Sequence, residues 1–174
     1  MVSVSSPQGR FAESAAQLDE TRMIEGTAHG KHLFCEFDGD RFLHVHLGLI
    51  GSFELSPPHP PRGLVRVRIA TEQAVADLRG PQLCMLATRA EVATQLAVLG
   101  PDPLRTDADP DRAWRRIHRA TRPIAALLMD QTILSGVGNV YRAEVLFRNR
   151  IDPHRRVTSC AAAAGCGSGA ISSS

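Results

Sequence analysis

Leu134-Ser135-Gly136-Val137-Gly138-Asn139-Val140-Tyr141 lies between two stretches of helical spacing, and its reading decides what the second half of the chain is. Gly136 and Gly138 let the backbone come close to a ligand, and Asn139, as cap of the following helix, directs backbone amides and a side-chain amide at one place. A helix start of this kind is an anion site suited to phosphate. The other reading is an ordinary tight turn. Upstream, Pro123 opens a helix carrying Ile124, Leu127, Leu128 and Met129, and Thr132 to Asn139 is non-helical. Downstream, a helix from Val140 to about Asn149 places Val140, Ala143, Leu146 and Phe147 on one face.

Working back from there, Asp109-Pro110 predicts a capped helix running to about Thr121. Arg112, Arg115, Arg116, Arg119 and Arg122 recur along it at three- and four-residue steps, with Ala113, Trp114, Ile117 and Ala120 on the opposite arc. The net charge of +2 conceals this polarity: residues 1 to 111 hold nine Arg and one Lys against fifteen acids, a balance of −5, and residues 112 to 156 hold ten Arg against three acids, a balance of +7. Arginines spread among apolar positions are the electrostatic footprint of a nucleic-acid surface, although partner carboxylates or a solvated helix face would look the same. Lys31 is the single lysine beside nineteen arginines, and it either marks a place where a compact ammonium is required or survives by chance.

The first half has a different period. Leu33 to Phe37 and Phe42 to Leu47 flank the turn dipeptide Asp38-Gly39 and predict a hairpin; Val65 to Ile69 alternates, and Gln82 to Leu86 is a further strand. Pro57 to Gly63, with four prolines, is a surface loop. Residues 1 to about 88 thus read as β-rich, with no helix before Arg89. A helix from Glu91 ends at Gly100-Pro101, so the domain boundary falls between Thr88 and Pro103. The expected fold class is α+β: a β-rich domain over 1-90, a helical domain over 91-158 and a disordered Ala/Gly/Ser tail over 159-174.

Several function classes are set aside by composition. No window reaches the ~18 apolar residues of a membrane helix, and Met1 to Arg10 is too polar for a signal peptide, so a cytoplasmic protein is expected, nucleoid-associated if bacterial. The four cysteines, Cys35, Cys84, Cys160 and Cys166, include no C-x-x-C pair, and neither a disulfide framework nor a zinc site is signalled.

With these segments in place, a family resemblance emerges. The run from Pro123 through Met129-Asp130-Gln131, Gly136 to Tyr141 and Glu144 to Arg148 to Ile151-Asp152-Pro153 resembles the helix-two-turn-helix segment of the formamidopyrimidine-DNA glycosylase / endonuclease VIII family. Leu99-Gly100-Pro101-Asp102-Pro103-Leu104 is similar to the opening of that family's helical domain, and Ala28 to Leu33 and His46 to Gly51 resemble two segments of its β-sandwich. The resemblance implies a partial β-sandwich followed by the helix-two-turn-helix domain, and the function of a base-excision-repair DNA glycosylase with abasic-site lyase activity. It implies that Lys31 and Asn139 hold phosphates of double-stranded DNA containing a damaged base or abasic site; the turn reading adds Gly136 and Gly138, and the arginine stripe adds Arg115 and Arg119, as candidate DNA-binding residues. Leu49 and Ile50 would fill the space left by an everted base, unless they are β-strand core residues. A monomer is expected.

The sequence departs from the family pattern at both ends. The family's nucleophilic Pro-Glu start is replaced by Met1-Val2-Ser3, a family-like strand is reached by about Gln8, and the opening helix is missing, leaving one sandwich face uncovered. Met23-Ile24-Glu25-Gly26 only mimics such a start. No catalytic residue is therefore assigned, and the amine of Val2 is expected on a frayed end. The paired C-x-x-C of the family's zinc finger is also absent, so no metal or other cofactor is expected. The alternatives to an enzyme are a non-catalytic DNA-binding fragment and an inactive degraded product.

Overall fold

The computed structural model describes residues 1–157; the tail expected over 159-174, with Cys160 and Cys166, lies outside the described residues. The chain divides between Ala97 and Val98 into two compact units.

The first unit is two antiparallel four-stranded sheets. One has the order β1-β6-β7-β5, made of Ser3–Ser5, Val65–Ala70, Val75–Arg79 and Ser52–Ser56; the other has the order β2-β3-β4-β8, made of Met23–His29, His32–Phe37, Arg41–His46 and Leu83–Ala87. The predicted hairpin is β3 and β4, turning through Asp38-Gly39-Asp40 with Gly39 and Asp40 at positive φ. Alternate residues of both sheets, Val4, Val67, Ile69 and Leu78 from one and Cys35, Phe37, Leu43 and Val45 from the other, share one buried cluster, which makes the pair a sandwich. Phe37, Leu43 and Leu78 are fully buried, and each such side chain contributes about 1.5–3 kcal/mol.

A helix does precede Arg89, contrary to the sequence reading. Phe11 donates its amide to the Ser6 hydroxyl at 3.1 Å, and α1 (Ala12–Leu18) follows, burying Ala15 and Leu18 in the sandwich core. Asp19 ends it and accepts the Val4 amide at 2.7 Å, tying helix to β1. Its apolar side is only two residues, too few for periodicity to reveal. Gln8 lies in a turn, not a strand, and Met23-Ile24-Glu25-Gly26 belongs to β2. Val2 is not frayed: its amide donates to the Thr21 carbonyl at 2.8 Å and its side chain packs against the core.

α2 (Arg89–Val98) covers the outer face of the second sheet, with Val92 and Leu96 on Phe34, Phe42 and Ala87. Thr88 and Glu91 cap it reciprocally, the Thr88 amide donating to Glu91 Oε2 at 2.7 Å and the Glu91 amide to Thr88 Oγ1 at 3.3 Å. On the first sheet the Arg68 and Asp77 side chains are almost completely buried and joined by a two-pronged ion pair, Nε to Oδ1 at 2.7 Å and Nη2 to Oδ2 at 2.9 Å. Arg68 Nη1 also donates to the His59 carbonyl at 2.7 Å, which fastens the proline loop to the sheet.

The second unit contains α3 (Pro110–His118), α4 (Ile124–Met129) and α5 (Asn139–Arg148). Asp109 caps α3 by accepting the Arg112 amide at 3.1 Å. Leu127, Ile133 and Val157 form its core, with Ile117, Ala120, Ile124 and Leu134 against them. Two predicted faces differ. Trp114, placed by spacing on the inner arc of α3, is 59% exposed, and on α5 only Leu146 is buried while Val140 and Phe147 are both 81% exposed. Helical spacing shows which residues share a side, but burial depends on whether another element covers it. No helix among the described residues is long and apolar enough to cross a membrane.

Candidate nucleic-acid interface

In the sandwich unit, Lys31 occupies the turn between β2 and β3, where His32 pairs with His46 at the end of β4. The chain leaves β4 through Leu47 to Gly51, a turn closed by the Gly51 amide donating to the Leu47 carbonyl at 3.2 Å. Its tip presents Leu49 at 104% and Ile50 at 89% exposure, so neither is a core residue. Lys31, His46, Leu47 and Gly48 border one hollow of about 360 Å³, floored by Leu33, Val45 and Phe53. Register alone brings a cation and two exposed apolar side chains to one end of the sandwich.

The same register assembles a group that sequence reading missed. His32 and His44 lie with Nδ1 and Nε2 2.8 Å apart, the His46 ring sits 4.9 Å from that of His32, and Phe34 stacks on His44 at 4.5 Å. His29 faces His32 across the β2-β3 ladder, and Glu25 and Glu36 lie on the same side. The alternation His44-Val45-His46 was the available signal. Burial first, then His44, His46 and His29, hold His32 down at about 4, and burial and His46 lower His44. The unfolded chain therefore takes up more protons between about pH 6.5 and 4, so the rings' titration leaves stability unchanged above 6.5 and lowers it increasingly as pH falls toward 4. Urea midpoints at pH 7 and pH 5 are expected to fall, and His32→Gln to flatten the fall. Equal midpoints in the unsubstituted protein would show that the rings charge freely.

In the helical unit, Gly136 adopts φ +88°, which excludes side-chained residues without strain. Its amide donates to Gln131 Oε1 at 2.9 Å, and Gln131 Nε2 donates to the carbonyls of Met129 and Val137, each at 3.0 Å. Asp130 accepts from the Thr132 hydroxyl at 2.7 Å and amide at 3.1 Å and from Arg122 Nη1 at 2.8 Å; with the hydroxyl the largest cause, its carboxyl is held below the ordinary range. Gln131 and Asp130 thus brace the turn, roles that spacing did not disclose. Gly138, rather than Asn139, is the N-cap of α5, in extended backbone at ψ 179°. Asn139 is the first helical residue, and its Oδ1 accepts from Arg142 Nη2. The first-turn amides of this ten-residue helix have no side-chain cap from Gly138, an arrangement suited to an anion.

The arginine stripe divides. Arg116 donates to the Thr132 carbonyl and Arg122 is committed to Asp130, so both hold α3 to the bracing turn. Arg115, at 3.5 Å from Asp109, and Arg119 are exposed.

Among the described residues no group of three or more His, Cys, Asp or Glu is placed to hold a metal ion. Burial pushes the Cys35 and Cys84 thiols up to about 11, which leaves them protonated.

A sandwich followed by a helical unit with this turn is the architecture of solved formamidopyrimidine-DNA glycosylases. The Lactococcus lactis enzyme non-covalently bound to DNA containing an abasic site superposes with TM-score 0.75 at 22% identity, over 90% of this chain and 64% of that one. MutM in complex with DNA containing carbocyclic 8-oxo-G gives 0.75 at 21%, over 90% and 63%. The formamidopyrimidine-DNA glycosylase N-terminal domain matches residues 2–90 and the H2TH domain of the same glycosylases matches 99–164. Endonuclease 8 1 of Mycobacterium tuberculosis is 54% identical over 160 residues, covering 88% of this chain and 60% of that protein. The formamidopyrimidine-DNA glycosylase of Thermomicrobium roseum is 33% identical, covering 82% and 55%. The chain belongs to the formamidopyrimidine-DNA glycosylase / endonuclease VIII family, and spans less than two thirds of the length of these relatives.

Proposed function

We propose that this chain grips double-stranded DNA at a damaged base or abasic site, as part of base-excision repair by the glycosylase and abasic-site lyase chemistry of its family. The observation that carries the reading is Lys31 on a hollow that Leu47 and Gly48 also line, where the chain enters the turn that exposes Leu49 and Ile50: a cation suited to phosphate and, just beyond the same hollow, an apolar tip able to occupy a vacated stacking position. Gly136, Gly138 and Asn139 supply a second phosphate contact, and Arg115 and Arg119 a more distant attraction. A cytoplasmic, monomeric protein without metal is the accompanying expectation.

Each phosphate contact contributes about −0.9 to the log-log dependence of affinity on salt. Lys31→Ala is expected to flatten that slope by about one contact on duplex carrying an abasic-site analogue. An unchanged slope would remove Lys31 from the interface.

For the 174-residue chain as it stands, gripping is expected to exceed chemistry. Imine formation at the sugar needs an amine held near C1′, and losing such placement forfeits effective molarities of ~10⁵ M or more. Here the Val2 nitrogen is engaged by the Thr21 carbonyl at 2.8 Å. Borohydride reduction with abasic-site DNA is expected to trap little covalent complex. Efficient trapping that disappears on N-terminal acetylation would identify a substitute nucleophile.

A further inference from the structure

The segment Pro57-Pro58-His59-Pro60-Pro61-Arg62, which joins β5 to β6, lies outside the proposed DNA contacts, yet the sandwich commits two arginines to holding it. The buried Asp77 carboxylate orients both: it takes the Arg68 fork and accepts from Arg79 Nη2 at 2.7 Å. Arg68 Nη1 then donates to the His59 carbonyl at 2.7 Å, and Arg79 Nε and Nη2 each reach the Arg62 carbonyl at 3.4 Å. Inside the segment, His59 Nδ1 donates to the Pro60 carbonyl at 2.7 Å, and its Nε2 lies 3.0 Å from the Ser56 hydroxyl. Pro57, Pro58, Pro60, Pro61 and Arg62 are nevertheless all exposed, as are Leu55 and Leu64 just outside them.

Proline fixes its own φ at about −65° and keeps the residue before it extended. Ser56, Pro57, His59 and Pro60 each precede a proline, and no peptide bond among the described residues is cis, so the segment is biased throughout to polyproline II geometry. From His59 to Arg62 the backbone makes no turn or bend. A polyproline II helix has about three residues per turn and no hydrogen bonds of its own, so carbonyls three residues apart share a side. His59 and Arg62 are three apart, and theirs are the two carbonyls that the arginines hold: the anchors repeat with the period of the helix. One ridge therefore lies on the sheet, and the exposed proline rings occupy the others. We propose that Pro57 to Arg62 is a preformed ligand for a partner protein with a groove between aromatic rings and a carboxylate at one end. Aromatic faces pack on proline rings, and a segment already fixed loses little freedom on docking. Pro57 and Pro60 supply two rings one turn apart, and Arg62 beyond them supplies a guanidinium that a carboxylate pairs with two-pronged. The partner surface is separate from Lys31 and the turn at Gly136, and this inference does not depend on the DNA-binding reading.

The probe is an isolated SH3 domain selective for Pro-x-x-Pro-x-Arg ligands, whose groove has both features. It is titrated with the whole chain and with a free peptide of residues 55–64, and binding is followed by calorimetry. The whole chain is expected to bind at least as tightly as the peptide, because the fold holds the segment ready. Arg62→Glu is expected to weaken binding by about ten-fold or more, the scale of a lost hydrogen bond to a charged group, and Arg62→Lys to keep more of it. The sheet holds the Arg62 carbonyl and not its side chain, so both changes leave the loop anchored, and an unaltered urea midpoint verifies this. Pro60→Ala is expected to weaken the probe while leaving affinity for duplex with an abasic-site analogue unchanged. Binding by the peptide but not by the chain would overturn the proposal, because the anchored loop would then turn the wrong ridge outward. Binding by neither would overturn it as well. Binding undiminished by Arg62→Glu and Pro60→Ala would place the contact elsewhere and overturn it too. Self-association of the chain that Arg62→Glu abolishes, without binding of the probe, would overturn it in favour of a second copy.

Discussion

Arg68→Ala is expected to remove about 3–5 kcal/mol from the stability of the sandwich unit, the range for breaking one side of a buried ion pair. The Arg68 and Asp77 side chains are 9% and 2% exposed, so a carboxylate deprived of its fork cannot recover its lost hydration. Asp77 keeps Arg79 Nη2 at 2.7 Å, which limits the loss without replacing two aligned bonds. The Arg68 fork is also the largest cause of the depressed Asp77 carboxyl, so the pair's contribution persists at neutral pH and is lost only below the ordinary carboxylate range. The His59 carbonyl loses its donor as well, and the proline loop its tether to the sheet. Urea unfolding followed by far-ultraviolet circular dichroism gives the measurement. Replacing both partners together, Arg68→Met with Asp77→Leu, is expected to recover much of the loss because no buried charge is then left alone. A cost under about 1 kcal/mol for Arg68→Ala would class the pair with exposed ones.

Gly100→Ala is expected to cost the helical unit about 3 kcal/mol, the upper part of the range for overpacking. A Cβ there would press on the carbonyl carbon of Ile133 and lie 2.7 Å from the Leu134 nitrogen, and backbone cannot turn aside as a side chain can. The approach is close because the Gly100 amide donates to the Gln131 carbonyl at 2.8 Å and the Ser135 amide to the Pro101 carbonyl at 3.0 Å. Gln131 in turn braces Gly136, so the displacement reaches the turn proposed to meet phosphate, and if that proposal holds, weaker DNA binding is expected to accompany the lost stability. Thermal unfolding followed by Trp114 emission isolates this unit. A midpoint equal to that of the unsubstituted protein would show that Ile133 and Leu134 yield freely.

Gly100 also shows how a residue can be legible in sequence without its reason being so. Its place in Leu99 to Leu104 was part of a recognisable pattern, but only the packed chain shows that the missing side chain makes room for Ile133. Leu49 and Ile50 are a similar case. In sequence they continue an apolar run and fit a strand as well as a loop tip, and the turn closed at Gly51 is what exposes them. The histidine group was missed because its members come from three strands. His29, His32, His44 and His46 become neighbours only through the ladders of β2, β3 and β4.

By itself the sequence determined the strands β3, β4, β6 and β8, the capped helix at Asp109-Pro110, the polarity of charge along the chain and the ordered motifs that mark the family. These depend on period, on local capping chemistry and on residue identity, all of which act over a few neighbours. Tertiary structure alone decided that α1 seals the sandwich, that Arg116 and Arg122 serve the fold while Arg115 and Arg119 face outward, and that Trp114 and Phe147 stay exposed. Each of those outcomes depends on which distant segment arrives to cover or pair a side chain, and the spacing of residues along one helix or strand carries no information about that.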